Sequence, residues 1–137
     1  MDYQRLIEGI KKREGFRGMP YEDNRGFPTI GYGTLLPISE EEATMLLKHR
    51  LDNAIQEIIE HKPFFVDLPE EIQEVLAEMG YQLGVPKLML FKRMWQTIEN
   101  QDWNGMIKEM YDSRWYHQTP NRVKALVKKV EDYINKN

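Results

Sequence analysis

Glu14-Gly15-Phe16-Arg17-Gly18-Met19-Pro20-Tyr21-Glu22-Asp23-Asn24-Arg25-Gly26-Phe27-Pro28-Thr29-Ile30-Gly31-Tyr32-Gly33-Thr34-Leu35-Leu36 is punctuated unlike the rest of the chain. Residues 15–37 hold five of the nine Gly and three of the seven Pro, with Phe, Tyr, Thr and Ile between them. Gly and Pro end regular structure, and aromatic and β-branched residues favour a pleated surface, so turns and short strands are expected. Phe16 to Tyr21 and Gly26 to Leu36 suit a small antiparallel hairpin, with Glu22-Asp23-Asn24-Arg25 as its turn.

Outside that stretch the chain reads as helices. Leu6, Ile7 and Ile10 share one face of a helix over Asp2 to Glu14, and Gly15 stops it. Ser39 and Glu42 form an S-x-x-E capping box. Leu47, Leu51, Ala54 and Ile58 then recur at helical spacing to about His61, a rod of roughly 33 Å at 1.5 Å per residue. A helix opens at Pro69 and carries Ile72, Val75, Leu76 and Met79, with Gly80 and Gly84 expected to break it. Further helices are expected over Phe91 to Asn100, from Asp102 to Tyr111, and from Thr119-Pro120 through Val123, Leu126, Val127, Val130 and Ile134. Trp95, Trp103 and Trp115 read as core.

The fold class is therefore α+β, with a small sheet segregated near the N-terminus. One domain over residues 1–137 is expected. It would comprise a β-rich lobe over about 15–38, a linking helix over about 39–61, and a helical lobe over about 67–137 that also takes in the N-terminal helix.

Composition narrows the function. With 41% hydrophobic and 30% charged residues, the chain has the make-up of an ordinary globular domain. No run approaches the ~20 apolar residues of a membrane helix. The segment MDYQRLIEGIKKREGF lacks the apolar centre of a secretory signal. A net charge of −3 disfavours binding to nucleic acid or to an anionic membrane. There is no Cys, and the three His are scattered, so neither a disulfide nor a metal site is expected. No cofactor motif is present, and nothing requires more than a monomer.

Glu14, Asp23 and Thr29 are the residues with chemistry to offer. A helix end, a turn and a strand can converge on one cleft, and two carboxylates in a cleft are what glycoside hydrolysis needs. One carboxyl must keep its proton to protonate the leaving oxygen, while the other stays ionised. Taken singly, each has a plainer reading: a solvated helix-end Glu, a turn-forming Asp and a strand Thr.

The spacing of the three, E-x8-D-x5-T, resembles that of the phage-type lysozyme (endolysin) family, T-even members included. The surrounding words do too: Arg13-Glu14-Gly15-Phe16-Arg17, Tyr21 and Thr29-Ile30-Gly31-Tyr32-Gly33. Far downstream, Ser113-Arg114-Trp115-Tyr116-His117-Gln118-Thr119-Pro120-Asn121-Arg122 is similar as well. The likeness covers most of the chain. It departs between Leu36 and Ser39, where Pro37-Ile38 stands for a longer connection, and at Arg25, where T-even members carry Glu.

This resemblance implies a lysozyme-like fold and an N-acetylmuramidase. Such an enzyme cleaves the β-1,4 bond between N-acetylmuramic acid and N-acetylglucosamine of bacterial peptidoglycan, with inversion. It would act in host lysis from the host cytoplasm, once released to the wall. Glu14 would be the general acid, Asp23 would activate water, and Thr29 would hold that water. Leu35, Tyr81, Gln82 and Arg114 match positions near the family's saccharide cleft, and Arg122 matches an arginine that pairs with the catalytic Glu. No metal or cofactor is implied. Two alternatives stay open. A non-hydrolysing lysozyme-fold module of a phage particle would suit the acidic charge. A lytic transglycosylase would have no use for Asp23.

Overall fold

The computed structural model describes residues 1–136. Asp2 opens α1 (Tyr3–Glu14) by accepting the Arg5 amide at 3.0 Å, satisfying one of the helix's orphan donors. Lys11, Lys12 and Arg13 crowd the last turn, where cations favour the negative end of the helix dipole. Gly15, at φ 72°, closes it by donating its amide N–H to the Lys11 carbonyl. Glu14 is thus the last helical residue before the chain turns into the sheet.

That sheet has three antiparallel strands in the order β1 (Arg17–Glu22), β2 (Pro28–Gly31) and β3 (Thr34–Leu35). The expected hairpin had two. Gly31 and Gly33 both sit at positive φ, 70° and 76°, and so reverse the chain within the segment read as one strand. Ile30 then pairs with Thr34, and Thr29 with Leu35. The first turn is also displaced from its expected place. Glu22 remains in β1 opposite Pro28, and the loop runs from Asp23 to Phe27. A bulge between Arg17 and Tyr21 shifts the register of β1 on β2.

The Ser39 hydroxyl and the Glu42 carboxylate form the expected capping box. Each accepts the other's amide, at 3.1 and 2.9 Å, at the start of α2 (Glu40–His61). The chain forms two compact units, Met1–Leu46 and Leu47 onward, and the boundary falls inside α2.

The second unit contains the rest of α2, a 3-10 turn over Pro63–Asp67, and six helices. These are α3 (Glu70–Leu83), α4 (Val85–Met89), α5 (Lys92–Glu99), α6 (Trp103–Tyr111), α7 (Arg114–Gln118) and α8 (Pro120–Lys136). Its core draws on Ile58 of α2, Ile72, Leu76 and Met79 of α3, Met94 and Ile98 of α5, Met106 and Met110 of α6, and Val123 and Leu126 of α8. The stripe read along α2 is buried only from Ala54 onward; Leu47 remains 44% exposed.

Gly80 does not break α3, which runs on to Leu83 and stops at Gly84 (φ 86°). A β-carbon at Gly80 would lie 3.1 Å from Ile58 Cδ1, so this glycine leaves room for the Ile58 side chain of α2. The short helices α4 and α7 carry too few residues to show a period and were not foreseen. Trp95 and Trp115 are buried as expected, and Trp95 donates its indole N–H to the Leu88 carbonyl at 3.0 Å. Trp103 is only half-buried, packed edge-on against Tyr133 with ring centroids 6.0 Å apart. Among the described residues no helix is long and apolar enough to cross a membrane.

Leu126 is 2% exposed at the centre of α8. Leu126→Ala is expected to lower unfolding stability by about 2–5 kcal/mol, the usual range for truncating a buried Leu. Urea denaturation would read this as a lower midpoint with an unchanged slope.

Candidate active site

Glu14, Asp23 and Thr29 all lie in the first unit. Asp23 begins the β1–β2 loop and organises it. Its Oδ1 accepts the amides of Arg25 and Phe27, both at 2.9 Å, and its own carbonyl accepts the Gly26 amide at 3.0 Å. The Asp23 amide donates back to the Phe27 carbonyl at 2.9 Å. That same carbonyl accepts the Thr29 hydroxyl, also at 2.9 Å. The backbone of Phe27 therefore ties the carboxylate of Asp23 to the hydroxyl of Thr29. No side-chain pattern marks Phe27 for this role, because its amide and carbonyl do the work and any residue other than Pro supplies both.

The two tied groups differ in environment. Thr29 is 1% exposed on β2, flanked by Tyr21 on β1 and Leu35 on β3. With its proton committed to the Phe27 carbonyl, its oxygen is left as an acceptor. Asp23 is half-buried. The Phe27 amide holds its carboxyl below the usual range; partial desolvation opposes this, and the Arg25 amide, the Arg25 charge and the Gly26 amide reinforce it. Arg25 itself rests over the Phe27 ring, 5.0 Å from its centroid.

Glu14 reaches the sheet from the end of α1. Its Oε2 would lie 2.6 Å from a β-carbon placed on Gly33, so the carboxylate rests against the β2–β3 turn. The first unit thus provides a carboxyl group over one turn of the sheet, and at the other an ionised carboxylate tied through the Phe27 backbone to an acceptor hydroxyl.

The remaining expected residues are dispersed. Leu35 lies on β3 and is 56% exposed. Tyr81, Gln82 and Arg122 line one hollow of about 1080 Å³ in the second unit, formed by α2, α3 and α8. Arg114 opens α7 and lines a different hollow of about 710 Å³, with Lys87, Lys92 and Glu109. Gln82 donates to the Glu78 carboxylate at 3.1 Å, while its Oε1 is buried with no partner among the described residues. The described residues contain no cluster of three or more metal-ligating side chains.

The phage lysozyme family model matches residues 11–132. The chain belongs to the phage lysozyme family. It is similar to "Probable T4-type lysozyme 1" of Dictyostelium discoideum, at 27% identity, over 89% of this chain and 91% of that protein. A second lysozyme of that organism, "Probable T4-type lysozyme 2", is 22% identical over the same shares. "Peptidoglycan hydrolase gp36" of Pseudomonas phage phiKMV is 24% identical over 89% of this chain but only 14% of its own length. All three matches extend well beyond the Glu14–Thr29 segment, as does the family model.

The Asp23 loop of this lysozyme-family chain has a measurable signature. A carboxylate that accepts backbone amides is stabilised in its charged form, so its protons leave at lower pH in the folded state than in the unfolded chain. The stability it contributes is present above the ordinary value of 3.8 and is lost only as pH falls through the depressed one. Carbon-detected NMR titration of the Asp23 carboxyl is expected to give a midpoint below 3.8. Arg25→Gln should move it up only part of the way, because the Phe27 amide is the larger cause. A midpoint at or above the ordinary value would contradict the loop geometry.

Proposed function

We propose that this chain hydrolyses the β-1,4 bond between N-acetylmuramic acid and N-acetylglucosamine of bacterial peptidoglycan, with inversion, to lyse a bacterial host. The single observation that carries the reading is the link through Phe27, which holds an ionised Asp23 and a proton-committed Thr29 in one rigid loop.

A water about to attack an anomeric carbon must turn a lone pair toward that carbon. It does so best when both its hydrogens are given to acceptors. Asp23 supplies one, because its two short loop bonds fall on Oδ1 and leave Oδ2 outside them. The Thr29 oxygen supplies the other. Asp23 then takes the proton as the water adds, and stays charged until then because the loop amides favour its ionised form. Glu14 acts from the opposite face of the sugar, giving its proton to the departing glycosidic oxygen. Inversion needs the two carboxyls roughly 6.5–9.5 Å apart, with room for that water.

In this reading Leu35 borders the scissile sugar. Tyr81, 43% exposed, offers an apolar wall in the helical unit. The orphan Oε1 of Gln82 is suited to an amide N–H of an N-acetyl group, since a buried acceptor without a partner gains most from being filled. Arg114 would contact substrate from the second hollow, and Arg122 would orient Glu14 by charge.

Purified protein is expected to clear outer-membrane-permeabilised cells, and its muropeptides should carry the added water of hydrolysis rather than an anhydro ring. Glu14→Gln should slow clearing by about 10²–10⁴-fold, the usual worth of a positioned general acid. An unchanged rate for that variant, or anhydro products, would remove the mechanism.

Thr29 separates hydroxyl from shape. Thr29→Ser should retain most turnover, whereas Thr29→Val, which keeps the branched volume and loses the oxygen, should lose it while still folding. Equal activity in the two variants would make Thr29 a strand residue only.

A further inference from the structure

Two glycines flank Tyr32 in the β2–β3 turn, and they differ in one respect. Gly31 and Gly33 both hold positive φ, 70° and 76°, so an L side chain is strained at either. A β-carbon at Gly31 would meet nothing within 4 Å. One at Gly33 would meet Glu14: Oε2 at 2.6 Å, Cδ at 2.9 Å and Cγ at 3.4 Å. Backbone conformation calls for glycine at both positions, and at Gly33 the missing side chain is in addition the space the Glu14 carboxyl occupies.

We infer that Gly33 is a positioning residue, whose bare α-carbon fixes where the Glu14 carboxyl rests against the sheet. This inference rests on the proposed role of Glu14 only for its effect on turnover; the contact itself is independent of it. Glu14 leaves α1 at its last residue, and the following Gly15, at φ 72°, gives that end no side chain to brace it. The Gly33 surface supplies the stop for the Glu14 side chain that Gly15 cannot. To regain an ordinary 3.4 Å separation from a β-carbon at position 33, Oε2 must retreat by about 0.8 Å. A displacement near 1 Å in a reacting group lowers turnover by about 100-fold.

Gly31→Ala and Gly33→Ala form a matched pair, with the same turn, the same residue added and nearly the same φ. Each is made in the wild-type chain and in a Glu14→Ala chain, and thermal unfolding midpoints are measured for all of them. Gly33→Ala is expected to lower the midpoint more than Gly31→Ala does, and this excess should vanish once the Glu14 carboxyl is removed. Should Gly33→Ala fail to fold in the wild-type chain, folding of its Glu14→Ala counterpart reports the same collision. On soluble peptidoglycan fragments, Gly33→Ala should lower kcat about 100-fold with KM little changed. Gly31→Ala should stay within a few-fold of wild type.

An equal stability loss from Gly33→Ala in both backgrounds, or equal kcat in the two alanine variants, would overturn the inference. If Glu14→Gln clears cells as fast as wild type, the muramidase reading fails, while the stability comparison still decides whether Gly33 seats Glu14.

Discussion

The backbone of Phe27 is the constraint on which the candidate site depends. Its amide is bound by the Asp23 carboxylate, and its carbonyl takes both the Asp23 amide and the Thr29 hydroxyl. These bonds fix the loop, bias Asp23 toward its charged form and set which way the Thr29 proton points. Structure and electrostatics are thus one arrangement: the donors that hold the loop in shape are the donors that keep the carboxylate ionised. A loop built on side-chain packing would have no such coupling, and here the loop bonds fall on one carboxylate oxygen of Asp23 and leave the other outside them.

The helical unit rests on different physics. Its centre is filled by Ile, Leu, Val and four buried Met, and Gly80 of α3 leaves room there for the Ile58 side chain of α2. Met is flexible and fills irregular gaps, so such a core accepts adjustment more readily than one of branched residues alone. Polar groups inside it are satisfied where they matter for folding, as with the Trp95 indole and the Leu88 carbonyl. Among the described residues Gln82 is the exception. An acceptor left unfilled in a hollow is a weakness for stability and an asset for recognition, which is why it belongs with the proposed substrate contacts.

Long periodic segments were the most legible part of the chain. The capping box at Ser39, the Asp102 cap, and the stripes of α3 and α8 each follow from local rules applied to named residues. Short elements were not legible, because α4 and α7 span less than two full turns and draw their order from packing. The Gly31-Tyr32-Gly33 reversal was visible as glycines but not as a turn, since a flexible residue announces freedom without saying how it is used. Gly80 misled for the same reason. In the site, Glu14, Asp23 and Thr29 stood out through their spacing and its likeness to a family. Phe27 and Gly33 did not, because one acts through its backbone and the other through an atom it lacks.

All the bonds that shape the Asp23 loop join residues between positions 23 and 29. Such a half-site is self-contained: nothing distant in the chain is needed to draw it. Changes in the connection that follows Leu36 therefore need not redraw the loop. A chain built this way can vary its outer loops while the segment from Asp23 to Thr29 keeps its own shape.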